Sequence, residues 1–228
     1  MFFRARLRVM PVFDFILFPC YTLDNSDGYN KGDMHEYFFS MRKEMIRPMV
    51  YYKDEKLIVR NMERPDAKAF TDEFTAQGWH PEISGYLARL KDQYEGKCTA
   101  LTAEYEGHPA GYVYLYNRAN DGPFREKGWP IIVDFNVLKK YQRRGIGNRL
   151  MDVAEEIASQ HSDTVCLGVG VCDSYGAAQR MYVKRGYIPD GSGVWYQGRQ
   201  CVQYETVCTV DDDLILFLSK KLRYFLFY

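Results

Sequence analysis

The sequence predicts a mixed α/β layer fold. Segments that alternate apolar and polar residues recur along the chain, and segments with apolar residues every three to four positions stand between them. Their order, β-α-α-β-β-β-α-β-α-β-β, interleaves the two kinds instead of separating them. The first strand is 56–62 (KLIVRNM). Pro65 and Asp66 then open a helix that runs to 77, with Ala69, Phe70 and Phe74 on one stripe. A second helix covers 81–96: Ile83, Leu87, Leu90 and Tyr94 repeat at helical spacing, and Gly96 ends it. Segments 98–105 and 110–117 alternate as a hairpin around the turn EGHPA, and 118–130 reads as a loop. A strand at 131–138 (IIVDFNVL) leads into a helix whose stripe is Ile146, Leu150, Val153, Ala154 and Ile157. In the next strand, 164–171, Val165, Leu167, Val169 and Val171 share one face, and Cys166, Gly168 and Gly170 the other. A short helix in 174–187 ends at Gly186, and strands at 194–205 and 213–222 follow.

Composition narrows the function. Thirty basic residues balance thirty acidic ones, so the basic excess of a phosphate-neutralising nucleic-acid binder is missing and no nucleic-acid partner is expected. The six cysteines form no C-x-x-C pair and lie at no zinc spacing from a histidine, so no metal is expected. Reduced thiols in a chain of this apolar content point to the cytoplasm. His80 and His108 each precede a proline and read as turn residues. The basic, apolar start (MFFRARLRVMPVFDFILFPCYTL) is broken by Pro11, Asp14 and Pro19 and has no clear cleavage site; it reads as neither a signal peptide nor a membrane span. Residues 1–50 are expected to form an extension outside the core, with internal starts available at Met41, Met45 and Met49, and 51–228 to form one domain.

The stretch YQRRGIGNRLMDVAEEIA (141–158) carries the chemistry. Two glycines at the opening of an amphipathic helix leave backbone amides exposed and free of side chains, which suits an anion. The spacing excludes a P-loop, because no Lys-Ser/Thr follows, and weakens a dinucleotide fingerprint, because Leu150 stands where the third small residue belongs. What remains is Q-x-x-G-x-G, Gln142 to Gly147, after a strand. A second block follows about twenty residues later, with Ala178, Tyr182, Lys184, Gly186 and Tyr187 in the pattern A-x-x-x-Y-x-K-x-G-[FY].

Together these blocks resemble the GNAT-type, acetyl-CoA-dependent N-acetyltransferases over about 56–222, most closely over 131–189. The resemblance implies a mostly antiparallel central sheet with helices on both faces and the strands at 131–138 and 164–171 splayed apart. It implies acetyl-CoA as cosubstrate, with its pyrophosphate on the amides of Arg143, Arg144, Gly145, Ile146, Gly147 and Asn148 beside Gln142. Backbone groups of Val137 and Lys139 would meet the pantetheine arm, and an amide near Val137 the oxyanion. Tyr182 matches the family's proton donor. Asp134 and Glu104 are candidate bases, Asp134 reading equally well as a salt-bridged residue. Three positions depart from the family pattern: Tyr175 stands for a cofactor-contacting Asn, Lys139 for a Pro and Arg143 for a Gly.

The implied reaction is direct attack of a primary amine on the thioester in a ternary complex. The acceptor would be a small molecule or a peptide, and the enzyme a monomer or homodimer acting away from the membrane. The alternative is a non-catalytic acyl-CoA-binding sensor or interaction module. Asp211, Asp212 and Asp213 read as a solvated turn or as a field that attracts a cationic substrate.

Overall fold

A computed structural model describes residues 48–222. Nine strands form one sheet: β1 (Val50–Lys53), β2 (Leu57–Asn61), β3 (Cys98–Tyr105), β4 (His108–Tyr116), β5 (Ile131–Val137), β6 (Thr164–Gly170), β7 (Ile188–Tyr196), β8 (Arg199–Gln200) and β9 (Leu214–Lys221). Their spatial order is β1-β2-β3-β4-β5-β6-β9-β7-β8. Every pairing is antiparallel except β5 with β6.

Helices cover both faces. On one lie α1 (Arg64–Ala76) and α2 (Ile83–Tyr94), whose Phe70, Phe74 and Tyr86 pack on Ala100, Tyr112 and Tyr114. On the other lie α3 (Ile146–Ser159) and α4 (Gly176–Lys184), packed on Leu101, Val113, Leu115, Val165 and Leu167. The period-2 alternation of β3 and β4 sorts their side chains between these two cores. α1 opens with a reciprocal capping box between Glu63 and Asp66. α2 ends with Gly96 at φ 70° and the Lys97 amide donating back to the Asp92 carbonyl at 2.9 Å, which satisfies carbonyls left open at a helix end.

A buried ionic cluster ties α3 to α4 and β9. Glu155, 8% exposed, accepts from Arg185 Nε at 2.8 Å and from Lys220 Nζ at 2.5 Å; Arg185 also donates to Asp152 at 2.7 Å.

The structure corrects several expected elements. β1 was not expected, because four residues between polar neighbours carry too short a pattern. β7 starts at Ile188, well before the expected start at Val194; a bulge between Pro189 and Val194, with Gly191 and Gly193 at positive φ, carries the strand through the Pro-Asp-Gly stretch. Beyond Gln200 the expected strand is absent, and residues 201–213 are turns and irregular backbone. On α2, Ile83 and Tyr94 are exposed and Tyr86 is the buried residue, so the core stripe is rotated from the expected one. The 118–130 segment contains a 3-10 turn, Gly122–Lys127, anchored by buried Phe124. Expectations for residues 1–47, Cys20 among them, lie outside the described residues. Among the described residues, no helix is long and apolar enough to cross a membrane.

Candidate active site

The site is where the sheet comes apart. β5 and β6 pair only at Ile131 with Cys166 and Ile132 with Leu167, reinforced by the Cys166 amide donating to the Pro130 carbonyl at 2.9 Å. Past this point β5 bulges: Tyr112 faces Asn136 and Tyr114 faces Val133, so two residues of β5 oppose Val113. Asp134 sits in the bulge at φ 49°, a left-handed conformation that Asp tolerates better than most side chains. The extra residue flips the strand's faces. Ile132, Phe135 and Val137 pack toward α3, and Asp134 meets Arg89 of α2, whose Nε and Nη2 donate to its Oδ2 at 3.2 and 2.8 Å. Simple alternation would have put Asp134 beside Ile132.

Facing β5 across the gap are Gly168, Val169 and Gly170. A Cβ on Gly170 would lie 2.5 Å from the Tyr175 ring, so this glycine makes room for that ring. The Tyr175 hydroxyl donates to Asp212 Oδ1 at 3.0 Å. Burial first, then the bond to Asp212, pushes this hydroxyl up to about 12.

At the base of the gap the chain turns through Lys139–Tyr141 and enters α3. Arg143 and Gly145 have φ of 61° and 82°. Arg143 therefore holds a left-handed conformation that glycine adopts without strain, and it does so at the position where the family pattern has Gly. The first bond of α3 runs from the Arg149 amide to the Gly145 carbonyl at 3.1 Å. The amides of Ile146, Gly147 and Asn148 precede that bond, and Gly145 has no side chain to cap them. Gly147 serves the packing: a Cβ there would come 3.0 Å from the Phe135 ring. The Leu138 amide donates to Ala110 in β4 at 2.9 Å, so the Val137 amide, one residue earlier, faces the gap. The Val137 carbonyl accepts from Gln142 Nε2 at 3.1 Å, and the Lys139 amide donates to Gln77 Oε1 at 3.1 Å.

Tyr182 projects from α4 against Phe135 and Tyr187, with ring centroids 6.4 and 5.7 Å away. It is 6% exposed and lines the gap, and burial pushes its hydroxyl above the ordinary value of 10.0. Among the described residues, no hydrogen bond reaches that hydroxyl.

The resulting cleft has a volume of about 740 Å³, within the range of small-molecule sites. Of the residues singled out from the sequence, it brings together Asp134, Val137, Gln142, Arg143, Gly145, Ile146, Gly147, Asn148, Tyr175 and Tyr182. Three lie off the lining. Arg144 rests over the Tyr105 ring at 5.4 Å, Lys139 is held by Gln77, and Glu104 accepts from Arg60 Nε at 3.2 Å. Sequence reasoning missed Gln77, Trp79 and Arg89, for which no local pattern exists. It also left open which aspartate of the triplet reaches the cleft; Asp212 does.

The sheet is parted at its centre, and an uncapped helix start lies at the base of the gap. The acetyltransferase (GNAT) family model matches residues 62–187, more than half of the chain, and the protein belongs to that family. Among solved structures it is similar to yncA of Salmonella typhimurium, solved with its cofactor acetyl-CoA (17% identity, TM-score 0.54, 74% of this chain and 95% of that one). It is also similar to the ribosomal-protein-S18-alanine N-acetyltransferase of Escherichia coli (12%, 0.53, 73% and 94%). A third is the Salmonella typhimurium acetyl transferase that modifies the N-terminal serine of ribosomal protein L7/L12 (9%, 0.57, 77% and 100%). At these identities the likeness is one of fold. No curated protein sequence matches the chain.

Proposed function

We propose that the protein transfers the acetyl group of acetyl-CoA to a primary amine, using the domain at 51–228. The observation that carries this is the start of α3. Three consecutive amides lack a side-chain cap at the base of the gap, and glycine at 145 has nothing within 4 Å of where its Cβ would be. Such a helix start suits a pyrophosphate. Gln142, Arg143, Gly145, Ile146, Gly147 and Asn148 would hold that group. Val137, whose amide faces the gap, would meet the arm beyond it.

Acetyl-CoA supplies an activated thioester; the chain's own residues position and move protons. The Val137 amide is the donor for charge that develops on the carbonyl oxygen, a contribution of about 3 kcal/mol for such a donor. The Tyr182 hydroxyl is the proton donor to the departing sulfur; its burial and its lack of a partner support this. Asp134 is the carboxylate available to take a proton from the amine, through the Oδ1 that Arg89 leaves open. Glu104 is held by Arg60 and does not line the cleft, so Asp134 is the better placed of the two candidate bases.

Calorimetry with acetyl-CoA, followed by thiol release with a panel of small amines and peptides, tests the proposal. Binding followed by amine-dependent thiol release is expected. No binding would overturn the cradle, and binding without release from any acceptor would make the protein an acyl-CoA-binding module.

A further inference from the structure

The far end of the cleft constrains the acceptor. Among the lining residues the one cationic side chain is Arg143, at the cradle, and the two anionic ones are Asp134 and Asp212. The aspartate triplet divides its tasks. Asp211 serves the turn, its Oδ2 accepting from the Tyr196 hydroxyl at 3.2 Å and its Oδ1 from the Asp213 amide at 3.0 Å. Asp212 reaches the cleft, where Oδ1 accepts from Tyr175 and, among the described residues, Oδ2 accepts from nothing. Asp134 shows the same division: Oδ2 takes both bonds from Arg89, and Oδ1 takes none. Arg89 offsets the charge of Asp134 but does not line the cleft. Tyr175 stands near both carboxylates, and both charges act on its hydroxyl. Trp79, 53% exposed, adds an aromatic ring to the lining, braced against Phe74 at 5.3 Å. The unpartnered hydroxyl of Tyr182, on a side chain more than nine-tenths buried, faces the same space.

We propose that the acceptor is an aliphatic diamine or polyamine, with its reacting amino group at Asp134 and a second ammonium group at the open oxygen of Asp212, beside Tyr175. This rests on the acetyl-transfer reading of the same cleft. Two carboxylates, each with one oxygen that takes no bond from the described residues, match a second positive charge. In the reaction the amine nitrogen forms a bond to the acetyl carbon as the carbon–sulfur bond breaks. The nitrogen gives up two protons; one ends on the sulfur and the other reaches solvent. The second ammonium keeps its charge throughout.

The test compares 1,4-diaminobutane with butylamine on the full chain, by thiol release, with acetyl-CoA affinity measured separately by calorimetry. The diamine is expected to exceed the monoamine in kcat/KM by at least about tenfold, the scale of one charge-assisted hydrogen bond. Asp212→Asn is expected to raise the diamine KM toward that of butylamine while kcat for the diamine holds, a split that a general packing defect would not produce. Equal use of the two amines, an equal loss for both in D212N, or a peptide acceptor that outperforms every diamine would overturn the inference and leave acetyl transfer standing. Loss of acetyl-CoA binding in the unaltered chain would instead overturn the reading beneath it.

Discussion

Arg143 carries an unfavourable backbone conformation at the mouth of the cradle. Left-handed backbone costs a side-chain-bearing residue about 1–2 kcal/mol, and glycine at the same place gives back about 0.5–1 kcal/mol through its looser unfolded chain. R143G is therefore expected to raise stability slightly, by roughly 0.5 kcal/mol in urea unfolding, the difference between those costs. It should also weaken acetyl-CoA binding severalfold in calorimetry, because the one cationic side chain of the lining is lost; an unchanged affinity would show that only the backbone matters. Tyr182 is the complementary case, a residue with an ordinary backbone and a side chain in an unusual place. Tyr182→Phe is expected to lower kcat by about 100-fold, the low end for a general acid, with the acetyl-CoA dissociation constant unchanged. Burial holds its hydroxyl protonated above pH 10.0, so no fall in rate from this group is expected as pH rises from 7 to 9. Both residues were legible in the sequence because the two motifs fix their places. The conformation of Arg143 was not, since sequence shows a missing glycine but not the φ that makes it costly.

At the scale of elements, the bulge in β5 decides where the chemistry points. Periodicity correctly identifies the strand, but one extra residue turns Asp134 to the side of α2, where Arg89 waits. No alternation rule anticipates that insertion. The turn that follows shows a second local solution. The family pattern has Pro where this chain has Lys139, and the additional amide is satisfied by Gln77 at the end of α1. Leu138 has ψ 137°, which suits a following proline. Gln77→Ala is expected to cost about 1 kcal/mol in the native chain, the worth of one such hydrogen bond. In a K139P background the same change is expected to cost close to nothing, because no amide is left to satisfy. Equal costs in the two backgrounds, measured as a double-mutant cycle, would mean that Gln77 acts through something other than that amide.

Across the molecule, the two halves of the sheet meet at two residue pairs, and α3 spans them. Its apolar stripe packs on β3, β4 and β6, and its buried Glu155 holds Arg185 and Lys220 on the far side. Glu155→Ala would take the carboxylate from Lys220 and leave Arg185 with Asp152 alone, and is expected to destabilise the protein by about 3 kcal/mol in denaturant unfolding. A loss below 1 kcal/mol would show that solvent replaces the carboxylate. The layer class, the helix positions and the glycine-opened start of α3 could be read from the sequence, because periodicity and glycine spacing are local signals. The placing of Gln77, Arg89 and Asp212 could not. Each reaches its partner across a long stretch of chain, and only the folded sheet brings them together.

The parted strands also leave a record in isotope uptake. Central strands of a sheet are normally the slowest to exchange amide hydrogens, since both neighbours protect them. Here β5 and β6 are central by position yet carry edge-like backbone where they diverge. The gap-facing amide of Val137 should accordingly exchange as fast as an outer strand does, while that of Cys166, bonded to Pro130, stays slow. Saturation with acetyl-CoA should then slow Val137 selectively, as the arm of the cosubstrate takes the place of the missing strand.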